Sequence, residues 1–398
     1  MKRRDLKFTW MSNSHWSFSG YGVFTRDLLF RMRDDGWNFA EISFYGLQGN
    51  PVKVDGIQVY PNMGDAFGSD ALVHHTADFG ANVAFTMQDV WTLNPDFLKQ
   101  IQNWIPYVPI DKDPVPPLVL DRLRYAYKII SFSKFGQQAL EKAGFTSTLI
   151  VEGTDTDIFK PINKEECRKE IGMPLDAFVF GSIAANKENP PRKGFQEMLE
   201  AFKLFYENHK DGMLFFHTQQ IAPGNFPIAD YARHLGIADR VFFQNQYKAT
   251  YRSDSNQIAK EINCFDVDFH PSQTEGFGLG IVESQACGIP VIVNNCQSMP
   301  ELLIEGVTGE ICKTGTPRWT SDNGFVYPAD VKSLHEKMEV LYKKLHEKNT
   351  IAKDSRDYVI KNYNINTLFK DKWVPFFEQL QDEILTKPEE SSNIKTAK

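Results

Sequence analysis

Short apolar runs of strand length alternate with amphipathic stretches along most of the chain, and they do so twice, on either side of the polar segment EGTDTDIFKP at Glu152 to Pro161. This rhythm predicts parallel strands joined by crossover helices: an α/β chain with two Rossmann-like halves and a cleft between them. In the first half, Leu6 to Met11 reads as a strand and Ser17 to Gly22 as a Gly-rich turn. Val23 to Arg33 then reads as a helix with Phe24, Leu28, Leu29 and Met32 at helical spacing. Further strands are expected at Phe39 to Phe44, Asn82 to Thr86 and Tyr127 to Phe132, with a helix at Lys134 to Lys142 stopped by Gly144. The four prolines of Tyr107 to Pro117 predict a rigid loop near the mouth of the sheet. In the second half, helices are expected at Lys164 to Ile171 and Phe195 to Glu207. Strands are expected at Phe178 to Ser182, Met213 to His217, Val241 to Gln244, Val267 to His270 and Pro290 to Val293.

Composition narrows the class. At 398 residues the chain is long enough for two or three domains, and its apolar runs fall far short of the roughly 18 residues a membrane span needs. The basic start MKRRDLKFTWMSNS is interrupted by polar residues before an apolar signal region develops, which predicts a cytoplasmic protein. Five cysteines (Cys167, Cys264, Cys287, Cys296 and Cys312) include no CxxC pair and read as buried free thiols. A net charge of -7 argues against tracking nucleic acid by bulk electrostatics. The polar tail KPEESSNIKTAK, 387–398, is expected to be disordered.

The densest chemistry lies in PSQTEGFGLGIVESQACGIPVIV, from Pro271 to Val293. Glu275, Gly276, Phe277 and Gly278 form a Gly-bearing turn at a strand end, Leu279 to Cys287 the next helix, and Gly288 its stop. Free amides at that helix start, with no bulky side chain at Gly278 or Gly280, suit a phosphate. Glu283 lies one turn in, and helical side chains lean back toward the amino terminus, so its carboxylate can reach the same pocket. Glu275 sits where ligand-contacting groups of open α/β sheets gather.

The pattern E-G-F-G-L-x-x-x-E, followed by A-C-G-x-P-V, resembles the signature of retaining glycosyltransferases of family four (glycosyl transferases group 1), which have the GT-B fold. Three other segments agree in order. Glu152 to Pro161 resembles the interdomain N-G-V-D-x-x-x-F-x-P, Ser131 to Gly136 the preceding S-x-x-x-x segment, and Arg192, Lys193 and Gly194 the basic donor-diphosphate motif. The resemblance implies an acceptor domain at 1–155, a nucleotide-sugar donor domain at 156–362, and a helix at 363–386 that returns to the first domain. It also implies transfer of a sugar from a nucleotide diphosphate sugar to a hydroxyl with retention, without a metal or other cofactor. Residue by residue, it puts Glu283 on the donor ribose and Glu275 beside the transferred sugar, and it puts Arg192 and Lys193 on the diphosphate. Gly276, Phe277, Gly278, Leu279 and Gly280 fall at the donor, with the amides around Gly278 to Gly280 suited to its diphosphate. One position departs: Gly181-Ser182 stands where the family usually has Gly-Arg.

Gly20-Tyr21-Gly22 resembles the glycine loop that approaches the donor from across the cleft, and Gln88 and Asp89 fall where family members often have a histidine near the sugar. Asp89 is therefore a candidate for orienting the acceptor or accepting its proton. Trp91 is a weaker candidate for a sugar-stacking ring. Adjacent His74 and His75 would point to opposite faces of a strand and are given no metal role. Asp266-Val267-Asp268 invites comparison with a metal-binding D-x-D, but Asp266 falls at the strand end away from the cleft. Two other functions remain in view: a nicotinamide-dependent oxidoreductase using Gly20 to Gly22 with Glu41 as the ribose acid, and a nucleotide-sugar-binding module without turnover. Donor base, oligomeric state and acceptor are open, the acceptor among lipid carriers, polysaccharides, small metabolites, proteins and nucleic-acid bases.

Overall fold

The computed structural model describes residues 4–220, 224–251, 254–347 and 350–386, so the expected tail at 387–398 lies outside the described residues. The strands of the first sheet are β1 (Lys7–Asn13), β2 (Asn38–Tyr45), β3 (Val52–Val54), β4 (Ile57–Pro61), β5 (Val83–Met87), β6 (Trp104–Val108), β7 (Ile130–Ser131) and β8 (Thr148–Leu149). They are ordered β3-β4-β2-β1-β5-β6-β7-β8, and neighbours are parallel except β3 with β4. The second sheet contains β9 (Phe178–Ile183), β10 (Gly212–His217), β11 (Val241–Phe243), β12 (Val267–His270), β13 (Val291–Asn294) and β14 (Gly309–Cys312). Its order is β11-β10-β9-β12-β13-β14, parallel throughout.

Parallel strands are covered on both faces, and β5 and β6 are accordingly buried at every residue. Helix α1 (Gly20–Asp34) lays Phe24, Leu28, Leu29 and Met32 on the first sheet. The second domain has a phenylalanine-rich core, with Phe180 stacked on Phe269 and edge-on to Phe205. All five cysteines are buried and free.

In each sheet the strand order reverses once, between β1 and β5 in the first and between β9 and β12 in the second. At such switch points the loops leave in opposite directions and open a crevice outside the carboxyl ends of the strands. The segments singled out by sequence fall on these crevices.

The chain passes between the sheets at two places that lie side by side. The Thr154 amide donates to the Tyr363 carbonyl (2.9 Å) and the Ile365 amide to the Thr154 carbonyl (3.1 Å). Gly153 fits there because a Cβ would lie 2.9 Å from the Tyr363 carbonyl oxygen. After the second passage the helix Val374–Leu385 lies on the first sheet, with Phe377 among Phe8, Trp37 and Phe85. Just before it, Trp373 packs against Trp10 and Tyr107.

Four local expectations change. The first helix begins at Gly20 rather than after Gly22, because the Ser19 hydroxyl caps it by accepting from the Gly22 amide at 3.1 Å. Tyr107 and Val108 complete β6, and Pro117 opens a helix (Pro117–Leu123), since proline at the first helical position sacrifices no hydrogen bond. The strand expected at Tyr127 to Phe132 shortens to β7, the part that pairs with β6 and β8. His74 and His75 lie in helix α2 (Ser69–Phe79), where His75 stacks on Tyr60.

Candidate active site

On the second-domain side, the Arg192-Lys193-Gly194 turn is locked onto the end of β12. The Gln273 amide donates to the Arg192 carbonyl at 2.7 Å. Gly194 has φ 74°, and a Cβ there would come 2.5 Å from the Pro271 carbonyl oxygen. This close approach sets two cations against Glu275. The Lys193 ammonium bonds one oxygen of the Glu275 carboxylate. The Arg192 guanidinium lies 3.5 Å from the other and donates to the Thr274 carbonyl at 2.7 Å. Burial opposes charge on Glu275, but Lys193 and Arg192 outweigh it and hold the carboxyl at about 2. The Ser298 hydroxyl lies 2.8 Å from both the Glu275 and Phe277 carbonyl oxygens and fixes the turn.

Helix Leu279–Ala286 begins at Gly278 (φ 112°) with no side chain capping it, so its start is open to an anion. Gly280 is required by packing as well, since a Cβ would lie 2.8 Å from the His270 ring. Phe277 is placed differently from the expectation. Its side chain is buried against Tyr363, leaving only its backbone for a donor. Ser182, at the departure from the family pattern, is buried at the end of β9 with a hydroxyl that has no partner among the described residues.

Across the cleft, Gly20 is open on all sides, whereas Gly22 is buried, where a Cβ would meet the Ser17 carbonyl oxygen at 2.4 Å. Gly22 thus serves the packing of its own loop rather than ligand approach. Between them Tyr21 lies near Asp89, and burial, then that carboxylate, raises its phenol. Asp89 stays open to the cleft, yet loss of water on its protein side, then the Asp111 carboxylate, raises it to about 6. Trp91 is half exposed on the next turn. Glu41, which a dinucleotide site would need for ribose, is fully buried. It already accepts from the His15 amide (3.0 Å) and the Ser43 hydroxyl (2.9 Å), and it touches the His15 ring. Asp266 is tied to Lys164 and Arg168 at the amino end of β12, and Asp268 to His270 and Ser284. Among the described residues there is no cluster of three or more His, Cys, Asp or Glu placed to hold a metal ion.

The cleft floor holds two residues that the sequence did not single out. Glu152, at the first passage between domains, is buried beside Glu283 and Glu275; burial, then these two carboxylates, raises it to about 8. Asp27 of α1 faces Glu283 together with Arg26. Burial, then Asp27, raises Glu283 to about 8 as well. The only signal for Glu152 was an acid where the interdomain motif has Asn, and Asp27 carried none.

Two α/β domains with facing switch-point crevices, one carrying a carboxylate braced by two cations, define the GT-B class. The chain superposes on sucrose-phosphate synthase from Thermosynechococcus elongatus with a TM-score of 0.76, covering 95% of this chain and 100% of that one at 17% identity. Against Anabaena HepE in complex with UDP-glucose the TM-score is 0.68, with the same coverage and identity. At such identities the likeness is one of fold. Residues 163–356 match the family glycosyl transferases group 1. Relatives include the D-inositol 3-phosphate glycosyltransferases of Thermobispora bispora and Mycolicibacterium gilvum. The first is 28% identical over 43% of this chain and 40% of the relative. The second is 33% identical over 45% of this chain and 38% of the relative. The chain thus matches about two-fifths of the length of these curated relatives.

Proposed function

We propose that this protein is a retaining glycosyltransferase that moves a sugar from a nucleotide diphosphate sugar to a hydroxyl acceptor. The observation that carries the reading is Glu275, held ionised by Lys193 and Arg192 at the second-domain switch point, opposite Asp89 and Tyr21 of the first. In the transfer, the bond from the anomeric carbon to the diphosphate oxygen breaks and its electron pair stays on that oxygen. The acceptor oxygen bonds to the same face of the sugar and gives up its proton, to the leaving phosphate or to Asp89. Charge grows on the diphosphate as the bond breaks, and Lys193, Arg192 and the open helix start at Gly278 are the groups suited to meet it. These donors supply positive charge without a divalent cation, so the reaction is expected to survive chelation. Glu283 and Glu152 are suited to the ribose or sugar hydroxyls, and Gly20 to close approach of the phosphates. Five reduced, buried thiols fit a cytoplasmic setting.

Calorimetry with uridine, guanosine and adenosine diphosphate sugars tests the reading. Uridine donors come first because a structural neighbour is described in complex with UDP-glucose. Saturable binding of one donor is expected, and product formation under excess EDTA with an unchanged anomeric configuration by NMR. Failure of every nucleotide to bind sinks the proposal, and an inverted product sinks the retaining mechanism.

A further inference from the structure

The carboxyl ends of β4, β2, β1 and β5 lie along one edge of the first sheet, and the loops that leave them carry a row of large apolar side chains in the open. Trp16 and Phe18 follow β1, Tyr45 ends β2, Met63 and Phe67 follow β4, and Trp91 follows β5; their exposures run from 36% to 62%. Three hydrogen-bonded links hold the row together. The Trp16 indole donates to the Gly46 carbonyl at 3.3 Å, which joins the β1 and β2 loops. The Gln88 amide donates to the Phe67 carbonyl at 3.2 Å and the Asn94 amide to the Ser69 hydroxyl at 3.0 Å, which joins the β4 and β5 loops. The row ends beside Asp89, at the cleft.

Charge selects among occupants. Residues 13–19, 45–51, 61–69 and 87–95, which form these loops, contain no lysine and no arginine. Their charged groups are Asp65, whose carboxylate is spent on the Phe67 and Ser69 amides, and Asp89. The one histidine, His15, is clasped between Glu41 and Asp55. A surface of this kind repels a phosphorylated acceptor, a nucleic-acid backbone or an anionic bilayer, all of which are held by Lys and Arg. What remains attractive is a ring with an apolar face and hydroxyl edges, since aromatic faces take the former and amides and carboxylates the latter. A hydrogen-bonding group waits at the right end. Gln88 is 2% exposed, and its carbonyl oxygen has no partner among the described residues.

We infer that the acceptor is an uncharged glycan whose sugar rings lie on this aromatic rim, with the reacting hydroxyl delivered to Asp89. The inference rests on the transferase reading above and names the acceptor class within it. Tryptophan fluorescence of the full chain in a Trp319→Phe background tests it, because Trp16 and Trp91 are then the exposed tryptophans, while Trp10, Trp37, Trp104 and Trp373 are buried. The probes are neutral oligosaccharides (maltotriose, cellotriose and mannotriose), an inositol monophosphate, a short oligodeoxynucleotide and phosphatidylglycerol vesicles. Saturable binding of at least one oligosaccharide is expected, weakened about ten-fold or more in both Trp16→Ala and Trp91→Ala and largely kept in the Phe variants. Binding of the inositol phosphate, the oligonucleotide or the vesicles in place of every saccharide overturns the inference. So does saccharide binding indifferent to both alanine variants, or no saccharide binding at all. Calorimetry of nucleotide diphosphate sugars on the same preparations separates the two readings. Intact nucleotide binding with no saccharide binding sinks only the acceptor class, whereas loss of nucleotide binding in the parent sinks the transferase.

Discussion

Glu275 and Glu283 share one cleft, yet their surroundings drive them in opposite directions. Lys193 and Arg192 keep Glu275 ionised, while burial and Asp27 keep Glu283 protonated. Removing Lys193 withdraws the ammonium that balances Glu275 and that, in the transferase we propose, meets the charge on the leaving diphosphate. Lys193→Ala should therefore lower the single-turnover rate by about 10²–10³-fold, with a smaller change in donor affinity. An unchanged rate at saturating donor would show that Lys193 serves only its ion pair. Glu152 and Glu283 also leave a mark on the unliganded protein. Their folded values of about 8 exceed the ordinary 4.5, so between these limits the folded chain binds more protons than the unfolded one. The resulting stability is fully present below 4.5 and is lost as pH rises through 8. The melting temperature should fall between about pH 5 and pH 8.5, and Glu152→Gln should flatten that fall by up to about 1 kcal/mol per pH unit. A Glu152→Gln profile parallel to the parent's would remove Glu152 from this coupling.

Among elements, the turn at Glu275 to Gly278 is the most constrained, because it meets the first domain directly. A Cβ on Gly276 would lie 2.8 Å from the Pro109 Cβ and 3.1 Å from its Cα. Gly276→Ala should hold the domains apart without disturbing either core. A larger radius of gyration by scattering is expected, with donor affinity reduced about ten-fold and the melting temperature nearly unchanged. Equal radii for parent and variant would mean that the turn yields instead. How much of these elements the sequence foretells depends on whether their signals are local. The helices Lys134–Lys142 and Lys164–Ile171 are legible in the sequence, because Ser133 and Asn163 cap them and Gly144 and Gly172 end them in the left-handed region. The start of α1 is masked in the sequence because Gly-x-Gly imitates a loop and only the Ser19 cap reveals the helix. The Glu275 and Glu283 turn was legible as a motif on a strand-helix junction. Glu152 and Asp27 were not, since their chemistry arises from burial against side chains far away in sequence.

For the molecule as a whole, the described structure has the lips of its cleft in contact. The Thr274 hydroxyl bonds the Asp111 carbonyl, Lys112 pairs with Asp322, and the Glu301 carboxylate accepts from the Lys134 amide at 3.1 Å. A donor touching both faces favours this arrangement over an open one. Scattering should show the radius of gyration falling when the donor is added, with slower hydrogen exchange at Thr154 and Asn364; no change in either would mean that the free protein is already closed. The adjacent passages at Thr154 and Asn364 bear equally on the order in which the chain is made. The first sheet's core is completed by Trp373, Phe376, Phe377 and Leu380, so a ribosome delivers these last packing residues only after the entire second domain has been made. Until then the hydrophobic face awaiting them is uncovered. Nascent chains arrested behind a linker long enough to span the exit tunnel should accordingly carry a protease-resistant second domain and a protease-sensitive first one when the natural sequence stops near residue 368, with resistance of the first appearing once it continues through Leu385.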